Sequence, residues 1–283
     1  MPVFNGGPSV AKAIQCILGQ THADFELLIS DNCSTDETGE ICLALTRHDP
    51  RVRYVRQPKN IGADANFRYV YLQSCGDYFM WAAADDLRSV NFLEVNLTFL
   101  RTHPDYVGST SPVRFADGSF DELKMGDFAL ANESPHQRVL DFLSRSHANG
   151  RFYSLFKRTT VATWPHLDDS YFLGADWTLV SHAAKCGKLH RSAAGWVAFG
   201  TDGMSNRVDA FKRFRKSRLD WLIPYRRMSF DILEAVHEAS FPIRARVFFK
   251  LLILNTRAFL LQFLLGHRRR LSGVSSGAEA RHD

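Results

Sequence analysis

Apolar and polar positions recur along this chain with two different periods. After the turn signal Asn5-Gly6-Gly7-Pro8, the residues Val10, Ala13, Ile14, Ile17 and Leu18 fall at helical spacing, which predicts an amphipathic helix to about Gln20. The segment Glu26–Ser30, apolar at its centre, predicts a buried strand. Ser34-Thr35-Asp36-Glu37 has the form of a capping box opening a helix to about Thr46. Val52–Arg56 predicts a short strand, and Gly62 precedes a helix to about Ser74. Tyr78–Ala82 predicts a further strand, followed by a helix from about Asn91 to Arg101. Strands alternating with helices at this spacing build βαβ units and a mainly parallel sheet, an α/β fold.

From about Tyr106 the pattern loosens into short strands and turns. Helical stretches return near Pro135–Ser144 and Ala175–Cys186, with strands expected near Phe152–Lys157 and Lys188–Phe199. This half is expected to complete the sheet and supply a second substrate's pocket. The segment 207–227 is rich in Arg and Lys, Ile243–Arg270 is mostly apolar, and no internal repeat is present. Disorder is expected only in the last dozen residues, about 271–283.

Charge sharpens that division. Of the 283 residues, 1–206 carry 19 Lys/Arg against 23 Asp/Glu, net −4, whereas 207–283 carry 16 against 7, net +9. A slightly acidic body with a basic tail fits contact with an anionic surface. Nucleic acid is not the expected partner, because no nucleic-acid-binding module is present. The five cysteines (16, 33, 42, 75 and 186) are odd in number and lack paired CxxC spacing, so reduced thiols in the cytoplasm are expected rather than zinc. The N-terminus has no basic segment followed by an apolar one, so no secretory signal is expected. Met1–Gly7 reads as the last residues of a strand and its turn: either the first strand is stunted or the true start lies upstream.

Acidic residues at strand ends carry the candidate chemistry. Ligands of open α/β sheets sit outside the carboxyl ends of the strands. Asp31, with Asn32 after it, ends the first apolar run, where a carboxylate accepts from a nucleobase N–H or ribose hydroxyls; the plainer alternative is a turn residue capping the next helix. Asp85-Asp86 ends the run Tyr78–Ala82, and adjacent carboxylates there suit a hard divalent cation shared with a diphosphate. A helix cap or a pair of solvated turn acids is the alternative. Asp176 opens a helix beside Tyr171, Phe172 and Trp177, a place for a partly desolvated general base or for an acid on the helix dipole. Asp168-Asp169 reads as loop acids. No GxGxxG follows a strand, and no GxxxxGK[ST], GxSxG or HExxH occurs, so dinucleotide, P-loop, serine-hydrolase and zinc-protease chemistry lose their main support.

In order, Pro2-Val3-Phe4-Asn5-Gly6, Asp24-Phe25-Glu26, Ser30-Asp31-Asn32-Cys33-Ser34-Thr35-Asp36, Arg53-Tyr54-Val55 and Asn60-Ile61-Gly62 with Asn66-Phe67 form one series. Tyr78–Asp86, Gly174-Ala175-Asp176-Trp177 and Gly187-Lys188-Leu189-His190 continue it. In this order the chain resembles the inverting family 2 glycosyltransferases of GT-A fold, closely over about 1–105 and in patches to about 206. The resemblance implies a catalytic domain over 1–206, with a nucleotide-binding half (1–105) and an acceptor half (106–206). It implies that Pro2, Phe4, Asp31, Gly62, Asn66 and Asp85 line the site of a nucleoside-diphosphate sugar. Asp86 would bind Mg²⁺ or Mn²⁺, and Asp176 would be the catalytic base. Asp202, in Gly200-Thr201-Asp202-Gly203, stands where many members carry a metal-proximal His and is taken as a second metal ligand; Ala84 stands where many carry an acid. The implied reaction is a metal-assisted inverting transfer to a glycan or lipid-linked glycan, as in polysaccharide biosynthesis. A catalytically inactive relative that binds nucleotide or glycan is the alternative.

In the basic tail, 207–270, Arg246, Lys250, Arg257 and Arg268 fall on one narrow stripe of a helical wheel amid Phe, Leu, Ile and Val. Two placements fit: a helix lying on an anionic membrane surface, peripheral at the inner face of the cell membrane, or a helical hairpin docked on the domain.

Overall fold

Three parallel strands organise the first half in the order β1-β2-β3: β1 (Pro2–Val3), β2 (Leu27–Asp31) and β3 (Val52–Arg56). The computed structural model describes residues 1–47, 49–115, 125–145, 147–200 and 210–275, with side chains to 263 in the last stretch. All five β2 residues are buried. Successive side chains point to opposite faces of a strand. Leu27 and Ile29 therefore pack with Val10, Ile14 and Ile17 of helix Gly7–Leu18, and with Cys42 of helix Thr38–Thr46. Leu28 packs on the other face with Val70 and Tyr71 of helix Ala63–Gln73. Cover on both faces is why β2 reads as a continuous apolar run rather than an alternating one.

Two further sheets complete the fold. One has the order β4-β8-β6-β9, from β4 (Tyr78–Phe79), β8 (Leu155–Lys157), β6 (Tyr106–Thr110) and β9 (Lys188–Arg191). In it β8 runs antiparallel to its neighbours, and β6 pairs with β9 in parallel. The other has the order β5-β10-β7, from β5 (Leu87–Arg88), β10 (Val197–Phe199) and β7 (Val113–Phe115).

Four local expectations change. The strand expected over Tyr78–Ala82 has ladder bonds only at Tyr78–Phe79; Trp81 and Ala82 continue it as buried chain without a partner strand. The run expected near Phe152–Lys157 begins instead as a 3-10 turn, Gly150–Tyr153, and only Leu155–Lys157 is strand. Lys188–Phe199 divides into β9 and β10, which belong to different sheets, with a positive-φ Gly195 in the link. The capping box does not form: Ser34 Oγ accepts instead from Asn5 N at 2.9 Å, and Glu37, the residue before helix Thr38–Thr46, makes no side-chain cap. Thr38 donates its backbone N–H and its hydroxyl to Asp36 Oδ1, two residues back.

The basic tail joins the main core. Met228 and Ile232 of helix Arg226–Ala235, and Val247 and Leu251 of helix Phe241–Ser275, are buried in the cluster that contains Leu28, Trp81 and Leu179. Burying each such side chain contributes about 1.5–3 kcal/mol. Asn255 fixes the register, accepting from Tyr225 N and donating to Ser229 Oγ, both at 2.9 Å. No helix among the described residues is long and apolar enough to cross a membrane.

Candidate active site

At the end of β2, Asp31 is fully buried and its oxygens are engaged within the chain. Oδ1 accepts from Ser34 N at 2.8 Å; Oδ2 accepts from the Tyr54 hydroxyl at 2.8 Å and Arg56 Nη1 at 3.2 Å. The β2–β3 register makes this possible by setting Asp31 opposite Arg56. Burial and the Asp31 carboxylate push the Tyr54 phenol up to about 12. Asn32 accepts from Ile61 N and donates to Asn60 Oδ1 and the Gly62 carbonyl, shaping the loop before helix Ala63–Gln73. Asn66 reaches back to bond Ser30 through both its backbone carbonyl and its hydroxyl. Pro2 is buried in β1 opposite Ser30, while Phe4, just beyond that strand, is 47% exposed. The loop after β1 is pinned to the loop after β2: Gly6 N donates to Thr38 Oγ1 and Gly7 N to Asp36 Oδ2.

Asp85-Asp86 has a different environment. A Cβ at Gly6 would lie 3.8 Å from Ala84, so the aspartate pair follows directly on the chain that abuts the β1 loop. Asp86 is 4% exposed, and its Oδ1 accepts from Gly200 N at 3.1 Å. Its Oδ2 is buried with no hydrogen-bond partner; the Arg88 guanidinium stands 4.0 Å away, too far to bond. Burial pushes the Asp86 carboxyl up to about 6, against the pull of Arg88. Gly200 crosses so closely that a Cβ there would collide with the Asp85 carboxylate. Asp202 lies outside the described residues.

Asp176 sits in the first turn of helix Ala175–Cys186, after Gly174, whose φ of +87° brings it against Met228. Asn149, itself left-handed with φ +53°, donates from Nδ2 to Asp176 Oδ2 at 2.8 Å. The backbone N–H groups of Asp176 and Trp177 also bond the carboxylate, yet desolvation outweighs these bonds and holds it above the usual carboxylate range. Trp177 stacks on His147 with centroids 4.4 Å apart, and burial lowers that imidazole to about 4, so it is neutral at physiological pH.

Tyr153 ties these acids together. Its phenol is pushed far up, first by burial and then by the charges of Asp86, Asp85 and Asp176. One hydroxyl thus feels all three carboxylates. Tyr225, from the tail, is raised to about 12 by burial and the Asp176 charge. The charges of Asp85, Asp86 and Asp176 thus all bear on one residue; Asp31, Asn32 and Asn66 belong to the framework around the end of β2. Trp81 holds the Tyr153 turn in place: it stacks on Phe152 at 5.0 Å and donates from Nε1 to the Phe67 carbonyl.

Sequence reasoning missed Tyr153, Asn149 and Arg88. Asn149-Gly150 was a visible turn signal, but Phe152-Tyr153 looked like strand, and nothing in the spacing tied it to acids far along the chain. A buried carboxylate oxygen without a partner, next to a second carboxylate, fits a hard divalent cation, which prefers oxygen ligands and leaves positions open for phosphate oxygens. Among the described residues no group of three or more His, Cys, Asp or Glu forms a cage by itself, so part of the coordination shell would have to come from a bound diphosphate or from outside the described residues.

The fold defines the class first. Known structures that share it include residues 1–349 of S. aureus TarS in complex with UDP-GlcNAc, with a TM-score of 0.61 at 14% identity, covering 87% of this chain and 67% of that one. A mannosyltransferase of Pyrobaculum calidifontis, PcManGT in complex with GDP-Man and Mn²⁺, superimposes with a TM-score of 0.53 at 15% identity, covering 96% and 78%. The architecture is therefore the GT-A α/β fold. Residues 1–160, more than half the chain, match the sequence profile of glycosyl transferase family 2, and the chain belongs to that family. Curated relatives include glycosyltransferase GlyG of Streptococcus pneumoniae serotype 4, 32% identical over 94 residues. The putative glycosyltransferase EpsE of Bacillus subtilis is 29% identical over 107 residues. The matched stretches span 33% of this chain and 31% of GlyG, and 38% of both this chain and EpsE.

Proposed function

We propose that the chain is a glycosyltransferase that moves a sugar from a nucleoside-diphosphate donor to a hydroxyl of a glycan or lipid-linked glycan. The reaction is a single inverting displacement. What supports this most directly is the buried Asp86 oxygen left without a hydrogen-bond partner beside Asp85, together with a desolvated Asp176 oriented by Asn149; the charges of all three acids bear on Tyr153. The nucleobase rests against Phe4 and the Asp31 end of β2, where its N–H groups compete with Tyr54 and Arg56 for Oδ2. Asn32 and Asn66 shape that wall through the Asn60–Gly62 loop and Ser30, and Asp85 meets the ribose.

Asp176 takes the proton from the acceptor hydroxyl. As its oxygen bonds to the anomeric carbon, the bond from that carbon to the diphosphate oxygen breaks, and the nucleoside diphosphate leaves. A desolvated carboxylate is a stronger base than one in water, and Asn149 fixes its direction. Asp86, with Asp85 beside it, would hold Mg²⁺ or Mn²⁺, which when bound offsets charge on the leaving diphosphate.

The test is nucleotide release from a panel of UDP-, GDP- and dTDP-sugars with Mn²⁺ present. Asp176→Asn and Asp86→Ala are expected to lower turnover by about 10²–10⁴-fold, Asp176→Asn without loss of nucleotide binding. The rate should rise with pH as Asp176 ionises, at a midpoint above the ordinary carboxylate range. Undiminished turnover in Asp176→Asn would remove its role as base. Nucleotide binding without any turnover in the parent would make the chain a binding protein.

A further inference from the structure

The long helix Phe241–Ser275 has two apolar faces, and the domain covers only one. Val247, Leu251, Asn255 and Ala258 are buried toward the domain. On the other side Phe249, Leu252, Ile253, Leu260 and Phe263 are all at least half exposed. At about 100° per residue these five fall within a stripe roughly 100° wide, centred opposite the buried side. Arg246, Lys250 and Arg257 run along one margin of the stripe, within roughly 40° of one another. Lys250 donates to the Ser144 carbonyl, whereas Arg246 and Arg257 have no bonding partner among the described residues.

A basic depression flanks the helix on the side away from that margin. It is open to solvent and lined by Arg215, Lys216, Ser217, Arg218, Trp221 and Leu222. Two contacts join it to the helix: the Trp221 ring lies 5.0 Å from Phe259, and Arg215 donates to Gln262 at 2.7 Å. An exposed apolar stripe of this size marks an interaction site rather than ordinary surface.

We propose that the outward face of helix Phe241–Ser275, with the adjoining Arg215–Leu222 depression, docks on an anionic lipid bilayer. Charge selects this occupant. Residues 207–283 carry net +9, so two copies meeting face to face would bring like charges together, whereas an anionic leaflet neutralises them. The helix is not apolar enough to cross, so it lies in the interface: the apolar stripe enters the acyl boundary, and the basic margin and depression meet headgroup phosphates. Because helix Phe241–Ser275 packs on Arg226–Ala235, which packs on the helix carrying Asp176, the bilayer would be held at a fixed distance from the candidate base. Lipid binding itself does not rest on the catalytic reading.

The test is co-sedimentation of the full chain with phosphatidylcholine vesicles, with and without about 30% phosphatidylglycerol. Partition is expected only with the anionic lipid, and about tenfold or more weaker in about 0.5 M salt. Arg246→Glu with Arg257→Glu should weaken it by at least about tenfold, and Phe249→Asp with Ile253→Asp should abolish it. Nucleotide release from soluble donor should be unchanged in both variants. No partition of the parent, or equal partition into neutral vesicles, overturns the proposal. So does a dimer that these substitutions dissociate without any vesicle binding, which would give the face to a second copy. The lipid and salt contrasts use the unaltered chain, so they decide the question even if a variant fails to fold.

Discussion

The ends of β2 and of the Tyr78–Ala82 run look alike in sequence, each an apolar run closing on aspartate, yet the fold treats their carboxylates oppositely. Asp31 is fully buried and receives a backbone N–H, a phenol and a guanidinium. Asp86 is nearly as buried but keeps one oxygen without a partner, its nearest cation standing 4.0 Å off. A satisfied buried carboxylate stabilises the loops that donate to it. An unsatisfied one costs folding free energy when ionised, a cost that the cation proposed for Asp86 would offset. Equal burial therefore predicts opposite stability effects.

The largest effect should come from breaking the satisfied site. Asp31→Ala leaves Ser34 N, the Tyr54 hydroxyl and Arg56 without their shared acceptor. At about 1–1.5 kcal/mol for each lost bond, a loss of about 3–4 kcal/mol is expected in denaturant unfolding. A loss below about 1 kcal/mol would mean water replaces the carboxylate freely, and the contrast would fail.

Asp86→Asn should act in the other direction. The folded carboxyl titrates near 6, against about 3.9 in the unfolded chain. The folded state thus holds the proton more tightly, and the stability this contributes is present below about pH 4 and lost as pH rises through about 6. Asparagine mimics the protonated form at every pH. Without added metal, the variant should match the parent near pH 4 and exceed it by about 2–3 kcal/mol at pH 8. Thermal unfolding at the two pH values reads this directly; a variant less stable than the parent at pH 8 would show that the Arg88 attraction outweighs desolvation. Saturating Mn²⁺ with nucleoside diphosphate should narrow the difference by stabilising only the parent.

Much of the framework was legible because it depends on local pattern. Val10, Ala13, Ile14 and Ile17 mark a buried helical face, Leu27–Ile29 a central strand, and helix Ala175–Cys186 falls where the sequence put it. Asp31 and Asp85-Asp86 were legible as acids closing apolar runs and Asp176 as the acid opening a helix, which is where they stand. What resisted reading depends on long-range partners. Ser34 looked like a helix cap, but Asn5, distant in sequence and adjacent across β1–β2, takes its hydroxyl. Residues 188–199 looked like one strand, yet Gly195 sends the chain into a second sheet. Whether an aspartate is satisfied cannot be read from its neighbours in sequence, because Tyr54, Arg56 and Gly200 reach it only through the fold.

The smallest perturbation gives the finest test of the comparison. Tyr54→Phe removes one donor from Asp31 and leaves Ser34 N and Arg56, moving the carboxylate one step toward the condition of Asp86. The ring stays, so packing is conserved, and a cost of about 1 kcal/mol is expected because Arg56 and water cover part of the deficit. If donor base and Tyr54 compete for Oδ2, the freed acceptor should lower KM for the sugar nucleotide while kcat, which the proposed mechanism sets at Asp176, stays constant. A raised KM would instead place Tyr54 itself among the donor contacts, with Asp31 serving only to orient it.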